Sequence, residues 1–252
     1  MPLSDKPTIF IAFANDAPTS EAYLRNLVEE KNAVREALKT LQENNYYDVI
    51  YEPHASIDTI FQVFRAHSNI QVFHYGGHSN SYQLLLENFE GKVEVAHSEG
   101  LASMLGRQEN LKLVFLNGCS SGKIAEKLIA NGLPAVIGTK WSINDKVAVL
   151  LAKCFYEGLA QGQPIEKAFK DTTDQIDTKH GTANLRDLYW EGNEETEMVG
   201  KPWELYEQGN GGNWALKLKE QPNLQEQEGK KQVIQQADKI YNIKNANNST
   251  FN

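Results

Sequence analysis

Two stretches of the sequence decide the fold: VFHYGGHS at residues 72–79 and LVFLNGCSSG at residues 113–122. Each begins with an apolar run and then reaches a glycine that is followed by a reactive side chain. Such apolar runs are typical of strands buried on both faces of a parallel sheet. Functional residues of open α/β sheets gather at the carboxyl ends of the strands. We therefore expect His78 and Cys119 at the ends of neighbouring strands.

The side chains at these two strand ends can perform acyl transfer. A glycine before each reactive residue permits positive φ and close backbone approach. Cys119 stands just before a predicted helix, where exposed N–H groups and the helix dipole favour a thiolate. An imidazole within hydrogen-bonding distance, here that of His78, would complete a nucleophile–base pair. The backbone N–H groups of Ser79 and Cys119 are the predicted oxyanion hole.

Short β-rich runs alternate with helical patterns along the chain, which indicates a parallel sheet with helices on both faces. We predict strands at residues 8–14, 47–51, 70–75, 111–116, 135–138 and 214–218, and a small appended hairpin from residues 82–86 and 93–95. We predict helices at residues 19–43, 57–64, 101–105, 124–130, 145–159 and 164–177. The predicted fold class is a three-layer α/β sandwich with about six mostly parallel strands.

The composition changes near residue 220, which separates a predicted globular domain at residues 7–219 from a polar tail at residues 220–252. The tail holds six Gln and six Asn among 33 residues and few large apolar side chains. It cannot bury enough apolar surface to offset the entropy of ordering. Residues 237–252 mix β-prone side chains with Asn, and Asn ladders stabilise stacked strands. We interpret the tail as flexible or as a motif for self-assembly.

Composition and charge exclude several classes of function. The formal net charge is −8 and the pI is about 5.3, so an anionic nucleic acid is not the expected partner. No apolar stretch approaches the ~20 residues that span a bilayer, so no membrane association is predicted. Two cysteines, Cys119 and Cys154, provide no disulfide framework, which favours a reducing cytoplasm.

Other reactive side chains have structural interpretations. Cys154 falls in the middle of an apolar helix pattern, as a small buried hydrophobic residue does. His74 alternates with apolar residues inside a predicted strand. A metal site needs three or more ligands at suitable spacing, which the cysteines and scattered histidines do not supply. No glycine-rich phosphate loop follows any predicted strand, which disfavours a nucleotide-binding enzyme. We predict neither a metal nor a cofactor.

The order of the motifs resembles that of a known family. Two further stretches follow those at residues 72–79 and 113–122. They are PAVIGTKWSIND at residues 134–145 and FYEGL at residues 155–159. Together they are similar to the Gly-His, Cys, Trp-x-x-x-Asp and FY-x-x-L segments of the CHAT family. That family is the bacterial branch of the caspase-like (clan CD) peptidases and is related to separase. The resemblance covers residues 8–218.

The resemblance implies a caspase-like fold, with His78 as general base and Cys119 as nucleophile. The sequence departs from the commonest pattern at two places. Ser79 replaces the glycine that usually follows the histidine, and Ser120-Ser121 replaces the more frequent Glu-Thr after the cysteine. Neither change removes a reactive group.

The implied function is that of a cysteine endopeptidase in bacterial antiviral defence or regulated cell death. Its substrate would be a protein or peptide, for example a bacterial gasdermin or another effector. Most bacterial relatives resemble enzymes that cleave after Lys or Arg, so we assign Asp16 and Asp145 to substrate binding. Both residues also fit a turn or capping role. The alternative function is that of a non-catalytic adaptor that assembles through its C-terminal tail.

Overall fold

A central sheet unites the apolar runs in the computed structural model, which describes residues 6–16, 20–180 and 201–218. Its six strands are β1 (Thr8–Phe13), β2 (Asp48–Glu52), β3 (Ile70–Gly76), β7 (Leu113–Asn117), β8 (Ala135–Thr139) and β9 (Trp203–Glu207). They lie in the order β2-β1-β3-β7-β8-β9, and β9 alone is antiparallel to its neighbour. The predicted fold class of about six mostly parallel strands is confirmed.

Helices cover both faces of this sheet. On one face lie α1 (Leu27–Glu43), α5 (Asp145–Ala160) and α6 (Ile165–His180), and on the other α2 (Ile57–Ala66), α3 (Ser98–Gly106) and α4 (Gly122–Ala130). Each strand contributes to both layers because its side chains alternate between the faces. In β1, Ile9 and Ile11 pack under the first group of helices, while Phe10 packs under the second. The core is therefore two apolar layers separated by one sheet.

The first helix begins later than its pattern suggests. The prediction placed a helix at residues 19–43, but α1 begins at Leu27. The side chain of Asn15, just after β1, accepts a hydrogen bond from the N–H of Leu24 and donates one to the carbonyl oxygen of Leu24, at 2.9 and 3.0 Å. These bonds hold the backbone before α1 against the end of β1, so it does not continue the helix.

The last strand of the sheet also differs from the prediction. A strand was predicted at residues 214–218, but those residues have no regular structure and the sixth strand is β9. Trp203 at the start of β9 is 3% exposed, and its strand pairs with β8 from Ala135 to Thr139. Trp214 instead accepts a hydrogen bond at 2.9 Å from the N–H of Ile165 at the start of α6. The tail at residues 220–252 lies outside the described residues.

A second, smaller sheet follows β3. Its strands are β4 (Ser79–Asn80), β5 (Gln83–Glu87) and β6 (Val93–His97), all antiparallel. The predicted hairpin is thus present and is extended by one short strand. Leu84 and Leu86 of β5 are buried under α2 and α3, whereas Val93 and Val95 of β6 are exposed. The small sheet fixes the chain directly after His78, because Leu85 donates its N–H to the carbonyl oxygen of His78 at 2.9 Å.

Substitution of Phe115 tests how much the core layer under α1, α5 and α6 contributes to the stability of the fold. Phe115 is fully buried. The centroid of its ring lies 5.0 Å from that of the His74 ring and 5.4 Å from that of the Phe155 ring. We expect Phe115→Ala to lower the free energy of unfolding by about 3–5 kcal/mol, because it removes a ring and leaves a cavity. Phe89→Ala is the matched control, since Phe89 is 96% exposed, and should change it by less than about 0.5 kcal/mol. Urea denaturation measures both, and similar effects would contradict this packing.

Candidate active site

Two turns meet at the carboxyl edge of the sheet. Strands β3 and β7 are parallel neighbours, and Gly76 is in register with Asn117. The turns that follow are joined by a hydrogen bond of 2.7 Å, in which the hydroxyl of Ser79 donates to the carbonyl oxygen of Cys119. A side chain at Gly118 would lie 2.4 Å from that hydroxyl, so only glycine fits between the turns. The serine that departs from the family pattern therefore links the two turns.

The turn after β7 is held on several sides. Ser120 has a φ of 53°, in the left-handed region that residues other than glycine seldom adopt. Its N–H donates to the carbonyl oxygen of Trp141 at 3.2 Å. The hydroxyl of Thr139 donates to the carbonyl oxygen of Gly118 at 2.5 Å, and the N–H of Ser121 donates to Thr139 Oγ1 at 3.1 Å. These bonds fix the backbone on both sides of the half-buried Cys119, just before α4 begins.

The imidazole of His78 has a defined orientation. Its Nε2 lies 2.5 Å from the carbonyl oxygen of Ala22 and 3.5 Å from Oδ2 of Asp16. Because a carbonyl oxygen only accepts hydrogen bonds, Nε2 carries a proton. In the neutral ring, Nδ1 is then the nitrogen that can accept a proton. The backbone of His78 also lies in a fixed environment, since the hydroxyl of Tyr75 is within hydrogen-bonding distance of its carbonyl oxygen, at 2.8 Å, and of that of Leu85, at 2.6 Å. Burial raises the pKa of Tyr75 well above its ordinary value, so its hydroxyl remains a donor.

A narrow pocket adjoins both turns. The space between its lining atoms amounts to about 360 Å³, open solvent included, and His78 and Cys119 both line the pocket. Two carboxylate residues line it as well, Glu30 and Asp145. Asp145 was assigned to substrate binding from the sequence. Asp16, given the same assignment, lines a neighbouring cavity and contacts His78.

Glu30 was not predicted as a site residue, although its position in the helix pattern is unusual for a charged residue. It falls on the apolar face of α1, between Leu27 and Val34, and is only 3% exposed. Oε1 of Glu30 accepts a hydrogen bond of 2.7 Å from Asn117 Nδ2 and lies 3.1 Å from Nε2 of the fully buried His74. A carboxylate on the buried face of an otherwise amphipathic helix is the kind of exception that marks a functional or networked position.

The same network reaches strand β9 and helix α5. Asn117 accepts a hydrogen bond of 3.0 Å from the indole N–H of Trp203, and its amide also donates to the carbonyl oxygen of Ala148 at 3.1 Å. Asn117 directly precedes the turn that carries Cys119. Five secondary-structure elements thus meet at one buried amide and one buried carboxylate.

The remaining cysteine lies in a different environment. Cys154 is buried in α5, and burial raises the pKa of its thiol. A thiol with a raised pKa is a poor nucleophile at neutral pH. In the described part of the chain, no group of three His, Cys, Asp or Glu side chains is arranged to hold a metal ion. None of the helices described is long and apolar enough to cross a membrane.

The fold of the chain resembles that of proteins whose structures are solved. The chain is similar to a secreted C11 cysteine protease from Bacteroides thetaiotaomicron in complex with an irreversible peptide inhibitor, with a TM-score of 0.53 and 11% identity. That alignment covers 69% of this chain and 59% of the protease, so the chain spans less than two thirds of its length. Pro-sf-caspase-1 gives a TM-score of 0.50 at 10% identity, covering 81% of this chain and 92% of that one. These likenesses show a caspase-like fold.

The sequence matches a family model as well. No curated protein sequence matches the chain. The model described as the CHAT domain matches residues 5–208, which span the turns that carry His78 and Cys119, the pocket and strand β9. The chain therefore belongs to the CHAT family.

Proposed function

We propose that the chain is a cysteine endopeptidase in which Cys119 is the nucleophile and His78 the general base. The observation that carries this proposal is the single pocket that both residues line, at the edge where the hydrogen bond from Ser79 to Cys119 joins their turns. The tautomer of His78 supports it too, because the proton on Nε2 leaves Nδ1 as the basic nitrogen. A catalytic imidazole needs such a fixed orientation.

The reaction would proceed through an acyl-enzyme. The proton of the Cys119 thiol passes to Nδ1 of His78, and Sγ attacks the carbonyl carbon of the scissile peptide bond. The resulting oxyanion accepts hydrogen bonds from the backbone N–H groups of Ser79 and Cys119. The C–N bond then breaks, and the imidazolium of His78 gives its proton to the leaving amine. Water, deprotonated by His78, hydrolyses the thioester and restores the thiol.

Asp16 has a proposed role in this cycle. Its carboxylate and the carbonyl oxygen of Ala22 both face Nε2 of His78. A carboxylate in this position stabilises the imidazolium that forms during both steps and keeps the ring from turning. We therefore propose Asp16 as a positioning residue, alongside the substrate-binding role predicted from the sequence. Asp145 is proposed to contact a Lys or Arg side chain that precedes the scissile bond.

The biological setting is proposed from the family resemblance. The substrate would be a protein, such as a bacterial gasdermin or another effector, cleaved in the cytoplasm during antiviral defence or regulated cell death. Self-assembly through residues 237–252 remains a prediction, because that segment lies outside the described residues. Cleavage of such a substrate requires an active peptidase, so the cysteine is tested first.

Substitution of each cysteine tests the nucleophile. We expect Cys119→Ala to reduce cleavage of a fluorogenic peptide library to below about 1% of wild type, because the variant lacks the thiol that would form the acyl-enzyme. Cys154→Ala is the matched control and should retain activity. Iodoacetamide at pH 7, followed by mass spectrometry, should label Cys119 much faster than Cys154, whose raised pKa keeps its thiol protonated. Equal labelling and no cleavage by the wild type would favour the adaptor function instead.

A second pair of variants tests Asp16. We expect Asp16→Asn to lower kcat about tenfold or more for every cleaved peptide, with little change in KM, since it weakens the orientation and charge stabilisation of His78. Glu21→Gln serves as control because Glu21 is exposed in the same segment. A rise in KM restricted to peptides with Lys or Arg before the scissile bond, with kcat unchanged, would contradict the positioning role and support substrate binding.

A further inference from the structure

We propose that Glu30 is the residue that determines specificity in the pocket, where its carboxylate binds the cationic end of a Lys or Arg side chain of the substrate. This inference rests on the proposed function, because it takes the pocket beside Cys119 as the site for the residue that precedes the scissile bond. It names a residue that the sequence motifs do not include.

The pocket is amphipathic in the way that a Lys or Arg side chain requires. Its walls are apolar, formed by Leu24, Leu27, Ile143 and Ala148. Neither Lys nor Arg is among the residues that line it. Long basic side chains bury an aliphatic stem against apolar surface and need a polar partner only for the charged end. A pocket with apolar walls and a carboxylate matches both parts of such a side chain.

The carboxylate of Glu30 is only half satisfied. Oε1 has two neighbours, Asn117 Nδ2 at 2.7 Å and His74 Nε2 at 3.1 Å. Oε2 makes no hydrogen bond within residues 6–16, 20–180 and 201–218. It is nevertheless not sealed from solvent. Since Glu30 lines the pocket, Oε2 is the atom that a ligand can reach. A buried carboxylate with one unpaired oxygen is costly, and a cation supplies the missing partner.

The position of the carboxylate is also fixed in advance. Asn117 is held by Trp203 on one side and by the carbonyl oxygen of Ala148 on the other, so its amide presents a fixed donor to Glu30. A binding group held by such a second layer of contacts loses little entropy when the ligand arrives. Glu30 therefore resembles a preorganised ligand-binding residue more than a surface charge.

Glu30 is better placed than the other two acids to select the side chain. It is 3% exposed, whereas Asp145 is only partly buried in the first turn of α5. Asp16 lies in ion-pair range of His78. Of the two carboxylates that line the pocket, Glu30 is thus the more deeply buried.

Paired peptides and paired variants test this inference. Two fluorogenic peptides differ only before the scissile bond, where one has Lys and the other norleucine, which has the aliphatic stem without the charge. For the wild type we expect kcat/KM to be higher with Lys. For Glu30→Gln we expect kcat/KM with the Lys peptide to fall at least about thirtyfold, because the buried charge loses its partner. The value for the norleucine peptide should stay within about threefold of wild type.

Controls separate specificity from folding and from catalysis. Glu29→Gln makes the same chemical change on the exposed side of α1 and should alter neither peptide. Glu30→Asp keeps the charge and should retain a preference for Lys, and thermal unfolding verifies that each variant is folded. An equal loss for both peptides, or a wild type that cleaves norleucine as well as Lys, overturns the role of Glu30 while the peptidase stands. A wild type that cleaves neither peptide and leaves Cys119 unreactive overturns the proposed function as well.

Discussion

The parallel pairing of β3 with β7 is the constraint on which the rest of the site depends. The register places Gly76 beside Asn117, so the segments that follow β3 and β7 leave the sheet at the same level. Hydrogen bonds between the turns follow from this closeness, and the one from Ser79 to Cys119 needs the absence of a side chain at Gly118. Both strands are buried on both faces, which prevents the register from slipping. The sheet thus positions a histidine and a cysteine with a precision that flexible loops alone do not provide.

The polar network under this edge carries a desolvation cost that reduces the stability of the fold. Buried His74, Glu30 and Asn117 occupy space that apolar side chains fill elsewhere in the core. Replacing such a network by well-packed apolar residues is often neutral or stabilising, whereas removing one member alone is strongly destabilising. Stability is therefore a weak reason for its presence. A carboxylate that is fixed on one oxygen and reachable on the other is better explained by the pocket that it lines.

The sequence predicted the parts of the fold that local patterns control. The apolar runs predicted the five parallel strands. The Gly-His and Gly-Cys motifs predicted the two turns that follow β3 and β7. The first helix was predicted eight residues too long because its start depends on hydrogen bonds from Asn15, which no periodicity reveals. Strand β9 was missed because it is short and carries two charged residues, Glu204 and Glu207, and its pairing with β8 is a long-range contact. Glu30 was visible as a charge on an apolar face, but its partners come from β3 and β7.

One short segment connects the orientation of His78 with the shape of the pocket. Residues 20–30 supply the carbonyl oxygen of Ala22 that binds His78, two apolar walls of the pocket, and Glu30. The segment is held to the end of β1 by Asn15, next to Asp16. A substrate side chain that presses on Leu24 or Leu27 therefore presses on the same backbone that orients the imidazole. Under the proposed function, recognition of the substrate and orientation of the base are properties of one piece of chain, and neither can change without the other.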